Sequence, residues 1–125
     1  MKTLKSIVVL LFLAPVFAFS QNNSTKIEAY YFHNATRCTT CKTVEAEAKA
    51  DLKELYGDKV TFQALNLEEK STNAIAKKLM VSGQTLLVVK GDKQVNLTND
   101  GFLYAVTDPD KFKAKIKEKV DPLMK

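Results

Sequence analysis

Apolar positions along the chain fall into a few runs of different period, separated by polar breaks. The first apolar run, Ile7 to Phe19, is interrupted only by Pro15 and follows the basic start Met1-Lys2-Thr3-Leu4-Lys5. The next run, Ile27 to Phe32, is β-branched and aromatic and reads as a strand buried on both faces. From Cys38 or Thr39 onward the period changes. Val44, Ala48, Leu52 and Leu55 recur at helical spacing, with Glu45 and Lys49 four apart on another face, and Gly57 is placed to cap the helix end. A second strand is predicted over 59–67, with Val60, Phe62, Ala64 and Leu65 toward the core. Ser71, Thr72 or Asn73 offers a cap for a second helix with the stripe Ala74, Ile75, Ala76 and Leu79.

Ser82-Gly83-Gln84 breaks that helix, and Thr85 to Val89 is a strong central strand. Lys90-Gly91-Asp92-Lys93 predicts a hairpin turn, and Gln94 to Leu97 alternates as its returning strand. Thr98-Asn99-Asp100-Gly101 reads as another turn, followed by an apolar stretch from Phe102 to Val106 that forms a short strand or a packed loop. Asp108-Pro109 is a helix start, with Asp108 as cap and Pro109 at the first helical position. Phe112, Ile116, Val120 and Leu123 mark that helix's buried side. The order is β-α-β-α-β-β-α, an α/β fold in which the first β-α-β makes a parallel pair, the hairpin adds antiparallel strands, and helices cover both faces of a mixed sheet.

The first apolar run stands apart from this pattern. It is shorter than the roughly 20 residues of a spanning helix, and small Ala18 and Ser20 occupy the −3 and −1 positions of a cleavage site. Residues 1–20 therefore read as a secretory signal peptide, 21–26 as a polar lead-in and 27–125 as one domain. The expected location is exported, periplasmic or extracellular, with no membrane anchor after cleavage.

Charge changes little. The chain carries +5, part of it on Lys2 and Lys5 of the signal. The remaining lysines intersperse with acids, and no aromatic residues are threaded among them, so the charge reads as solubility and not as a nucleic-acid or membrane surface. Lys111, Lys113, Lys115, Lys117 and Lys119 read as the solvated face of the last helix.

The informative count is cysteine: there are two, Cys38 and Cys41. Thiols of an exported protein tend to pair. A bridge across Cys38-Thr39-Thr40-Cys41 closes so short a loop that it constrains the unfolded chain little, so chemistry is a better reason for it than reinforcement.

The stretch Tyr31-Phe32-His33-Asn34-Ala35-Thr36-Arg37-Cys38-Thr39-Thr40-Cys41-Lys42 resembles the strand, aromatic loop and WCGPCK motif of the thioredoxin superfamily. The likeness extends along nearly all of the domain. Ala64-Leu65-Asn66-Leu67 is similar to the strand ending in LNI, the segment from Ala76 to Val89 to the helix, turn and strand that follow, and Lys90-Gly91-Asp92-Lys93 to the KNGE hairpin. Within the superfamily the chain is most similar to small exported proteins labelled as subunits of a nitrophenyl-compound nitroreductase. That activity needs a flavin or similar electron carrier. The sequence offers no site for one, so no cofactor is expected and the chain would pass electrons to a partner. The resemblance implies a thioredoxin-like fold and places Gln84 and Thr85 in the loop facing the cysteines.

Three departures from the family pattern bear on the site. Arg37 replaces the tryptophan before the first cysteine, Phe32 falls where the family carries a buried acid, and Gln84 stands in place of the cis-proline. A cis bond before a non-proline residue costs about 3–4 kcal/mol, so Gly83-Gln84 is expected to be trans.

At the start of a helix, unpaired N–H groups and the macrodipole favour a thiolate, and Arg37, Lys42 and the Thr39 hydroxyl add to that at Cys38. Cys41, one turn in, suits the resolving role, with Thr40 between them. His33 is the only histidine; it is a candidate proton carrier, but a packed or hydrogen-bonded role is the favoured expectation, and for Glu45, a second candidate carrier, Lys49 offers an ordinary surface pair. The expected function is thiol-disulfide exchange or electron relay, with protein thiols or disulfides or a membrane electron donor as partners. Two other readings use the same residues: binding of a soft ion such as Cu(I), Zn(II) or trivalent arsenic by the two thiolates, or a non-catalytic interaction module. Redox direction and oligomeric state do not follow from the sequence.

Overall fold

The computed structural model describes residues 26–125. The expected signal peptide, and the lead-in except Lys26, lie outside the described residues.

Eight elements follow one another. They are β1 (Ile27–His33), α1 (Thr39–Tyr56), β2 (Val60–Asn66), α2 (Lys70–Lys78), β3 (Thr85–Lys90), β4 (Lys93–Asn96), α3 (Thr98–Tyr104) and α4 (Pro109–Val120). Short 3₁₀ turns at Gly57–Lys59 and Asp121–Met124 follow α1 and α4. The strands form one mixed sheet in the order β2-β1-β3-β4. β1 runs parallel to β2, with Ile27 opposite Val60 and His33 opposite Asn66. It runs antiparallel to β3, with Phe32 opposite Thr85, and β3 and β4 form the hairpin.

β1 is central, and its alternation divides the core in two. Ala29 and Tyr31 join Leu86 and Val88 under α1 and α4, together with Val44, Ala48, Leu52, Phe112, Ile116 and Val120. Tyr30 and Phe32 join Leu87 and Val89 on the opposite face, under Ala76 and Leu79. Helices thus cover both faces, and β1 is apolar on both sides because each side meets a separate layer.

Local signals at the helix ends act as their chemistry suggests. Gly57 takes φ 57°, and its N–H closes onto the Lys53 carbonyl. The Asp108 carboxylate accepts from the Lys111 N–H at 3.1 Å, with Pro109 in the first turn of α4. The lysines of α4 are engaged: Lys113 with Glu54, Lys115 with Glu118, Lys117 with Asp121 and Lys119 with Asp100, while Lys111 lies 4.4 Å from the centre of the Tyr104 ring.

Three expectations need correction. Residues 98–104 form neither a turn nor a strand but the helix α3, and 105–107 turn from it toward α4, so the element order ends in two helices. Tertiary contact overrides the turn residues here. Gly101 sits so close to α1 that a Cβ there would stand 2.8 Å from Val44 Cγ1, and Thr98 Oγ1 accepts from the Leu86 N–H at 2.9 Å. Phe102, Leu103 and Val106 are exposed, and only Ala105 of the apolar stretch is buried. In β2, Ala64 faces solvent because this is an edge strand, and Leu65 packs instead toward the α2 layer. α2 begins at Lys70 without a side-chain cap; Thr72 is buried within it and Ala74 is exposed.

Candidate functional site

The loop 34–38 leaves the end of β1 and delivers Cys38 to the start of α1. Cys38 has extended backbone, and its sulfur accepts from the Cys41 N–H at 3.1 Å. A sulfur here takes the place that a Ser or Asp oxygen takes in other helix caps. The Lys42 N–H reaches the Cys38 carbonyl at 3.1 Å, so the first turn closes directly on this residue.

Cys38 and Cys41 are joined as a disulfide, with Cα atoms 5.1 Å apart. Their environments differ sharply. Cys38 is exposed, whereas Cys41 is only 3 % exposed. A partner in solution meets the first sulfur and not the second. No acidic side chain stands in the first turn of α1, so nothing there opposes a negative charge at its N-terminus.

Beneath the pair, the buried Tyr31 hydroxyl donates to the Cys41 carbonyl at 3.1 Å. Burial raises the Tyr31 pKa; the Glu45 carboxylate raises it further and Arg37 lowers it, which puts both charges near the phenol. Arg37 and Glu45 form an ion pair, each about one-fifth exposed. The expected Glu45–Lys49 surface pair is therefore not the one formed. The chain folds Arg37 back over α1, and Glu45 meets a guanidinium from the loop instead of the lysine one turn along its helix.

The remaining candidates sit as follows. His33 is buried, and its Nδ1 pairs with the Asn34 carbonyl at 2.9 Å, which makes that nitrogen the donor. Its ring centre is 6.1 Å from that of Tyr31. Thr39 and Lys42 are exposed and Thr40 is half-buried; the Thr39 carbonyl accepts from the Thr43 hydroxyl at 3.0 Å. Phe32, where the resembled family has an acid, is fully buried in the α2 layer.

From the other side of the sheet end comes Gln84. Its Oε1 lies 3.3 Å from Cys41 Sγ. No peptide bond among the described residues is cis, so Gly83-Gln84 is trans. The Thr85 hydroxyl turns instead to the Gly83 carbonyl, to which it donates at 2.9 Å, and so fixes the turn that presents Gln84. The Arg37–Glu45 pair and the Tyr31 hydroxyl are the parts of this site that sequence reasoning did not bring together. Among the described residues, no group of three or more His, Cys, Asp or Glu is placed to hold a metal ion, and no helix is long and apolar enough to cross a membrane.

No family model and no curated protein matches the chain. Among solved structures, one described as "Structure of a malarial protein" is similar at 18% identity and a TM-score of 0.49, over 76% of this chain and 98% of that one. A likeness of that degree says nothing about activity. The site defines a more general class: an α/β protein with a disulfide-forming C-x-x-C pair at a helix start.

Proposed function

We propose that this chain is a thioredoxin-like thiol-disulfide exchange protein whose working atom is Cys38 Sγ. One observation carries the reading: an exposed sulfur caps a helix and is bonded to a buried sulfur one turn in. A mixed sheet with one parallel pair, a terminal antiparallel hairpin and helices on both faces supports this reading.

In the reduced protein the Cys41 N–H and the end of α1 stabilise a Cys38 thiolate. That thiolate attacks a partner disulfide. The Cys38–partner S–S bond forms, the partner's own S–S bond breaks, and the released thiolate takes a proton from water. Cys41 then loses its proton to water and attacks Cys38 Sγ, forming the intramolecular disulfide and releasing the second partner thiol. Two electrons pass from the dithiol to the partner. The same steps reversed oxidise a partner dithiol.

The proposed setting is outside the cytoplasm, on the strength of the signal-like residues 1–20, and the proposed partners are protein thiols and disulfides. Cys41→Ser tests the reading. This variant should accumulate mixed disulfides through Cys38, detected as mass additions with glutathione disulfide. A variant that takes up no adduct, with Cys38 alkylating no faster than a free thiol, refutes it.

A further inference from the structure

Gln84 is anchored on both sides. The Thr85 hydroxyl fixes the turn before it, and β3 begins beside it with Thr85 paired to Phe32. Its amide reaches across to Cys41 Sγ, the buried sulfur. In the disulfide that sulfur carries no hydrogen, so the 3.3 Å approach is a contact and not a hydrogen bond. Reduction returns a hydrogen to Cys41, and the sulfur then faces an acceptor already in place.

We infer that Gln84 accepts the Cys41 S–H in the reduced protein, which holds Cys41 as a thiol, leaves the negative charge of the pair on Cys38 and prolongs the mixed disulfide formed there. This role rests on the exchange reading above.

The chemistry is asymmetric. An amide oxygen accepts a hydrogen bond but does not take the proton, so Gln84 stabilises the neutral form of Cys41 and opposes its ionisation. Cys41 is the nucleophile of the second step and must lose that proton first. The groups around the pair do not offset this. Phe32 is apolar, Arg37 is paired with Glu45, the Tyr31 hydroxyl is committed to the Cys41 carbonyl, and His33 Nδ1 is committed to Asn34. On the α3 side, Asp100 is paired with Lys119, and Lys42 is exposed on the outer surface of α1. The proton leaves to water. A partner captured at Cys38 is thus held before release, which suits substrates that must be retained while a second disulfide is rearranged.

The test separates this role from the exchange reading. In a Cys38→Ser background Cys41 is the sole thiol, and its ionisation is followed by thiolate absorbance across pH. Adding Gln84→Ala should lower the midpoint by about one pH unit, the scale of one hydrogen bond to the neutral form. Gln84→Asn, whose shorter amide withdraws the acceptor but stays polar, should shift it in the same direction. With both cysteines present, either substitution should speed release of glutathione from its Cys38 adduct about threefold at pH 7. The larger thiolate fraction is partly offset by the lower nucleophilicity of a more acidic thiol. An unmoved Cys41 midpoint in both variants overturns the role of Gln84 even if exchange proceeds. Absence of exchange in the unmodified protein refutes the exchange reading instead, and the Cys41 midpoint still decides the hydrogen bond.

Discussion

The Arg37 guanidinium donates to the Glu45 carboxylate and so ties the loop before Cys38 to the second turn of α1. Arg37, which stands where the resembled family has a tryptophan, is therefore a buttress whose charge is largely answered by its partner. Glu45→Gln should release that charge toward Cys38 and increase its thiolate fraction, giving about threefold faster alkylation at pH 7. Arg37→Ala should have the opposite effect, leaving Glu45 unanswered beside the helix start. Alkylation rates of the reduced proteins with iodoacetamide check both, and equal rates in all three proteins would mean that the pair does not reach the sulfur.

Asp51 is buried on the inner side of α1, and its Oδ2 has no hydrogen-bond partner. Burial pushes its pKa up to about 6, with Glu47, Glu54 and Asp110 adding to the rise and Lys113 opposing it. The folded protein thus holds the Asp51 proton more tightly than the unfolded chain does. Its contribution to stability is complete below the unfolded value near 3.8 and is lost as pH rises through about 6. Asp51→Asn should remove that slope and stabilise the protein at pH 7 by about 1–3 kcal/mol, the cost of holding a charge there in place of a neutral group. Urea unfolding at pH 4 and pH 7 measures it. An equal gain at both values would point to packing and not to ionisation.

Gly101 brings α3 against α1 at a distance that leaves no room for a side chain. Gly101→Ala should therefore destabilise the protein by about 1–3 kcal/mol, as overpacking does in other cores. Trimming the obstacle in Gly101→Ala/Val44→Ala should recover part of that loss, because the two positions share one contact. Denaturant midpoints of the single and double variants test this; strict additivity would show that the contact is not the cause.

These sites also show what the sequence made legible. The dithiol, the Gly57 and Asp108 caps and the stripe Phe112, Ile116 and Val120 depend on residues close together in the chain, so spacing reveals them. The helix α3 was hidden because Thr98-Asn99-Asp100-Gly101 is local turn chemistry; what makes it helical is the closeness of Val44 and Phe112, which no local window contains. Glu45 was hidden for a similar reason. The period of a helix points it to Lys49, but the loop from β1 offers Arg37. Gln84 could be placed near the cysteines only through resemblance, since its contact spans the sheet.

The sulfur of Cys38 fills its place at the head of α1 while bonded to Cys41, and the N–H it accepts belongs to the backbone. Breaking the bond leaves that N–H where it is, aimed at the same atom. The helix needs no new fastening in either state. Oxidised and reduced molecules should share one silhouette, and any partner that distinguishes them must read a single exposed charge and not a change of shape.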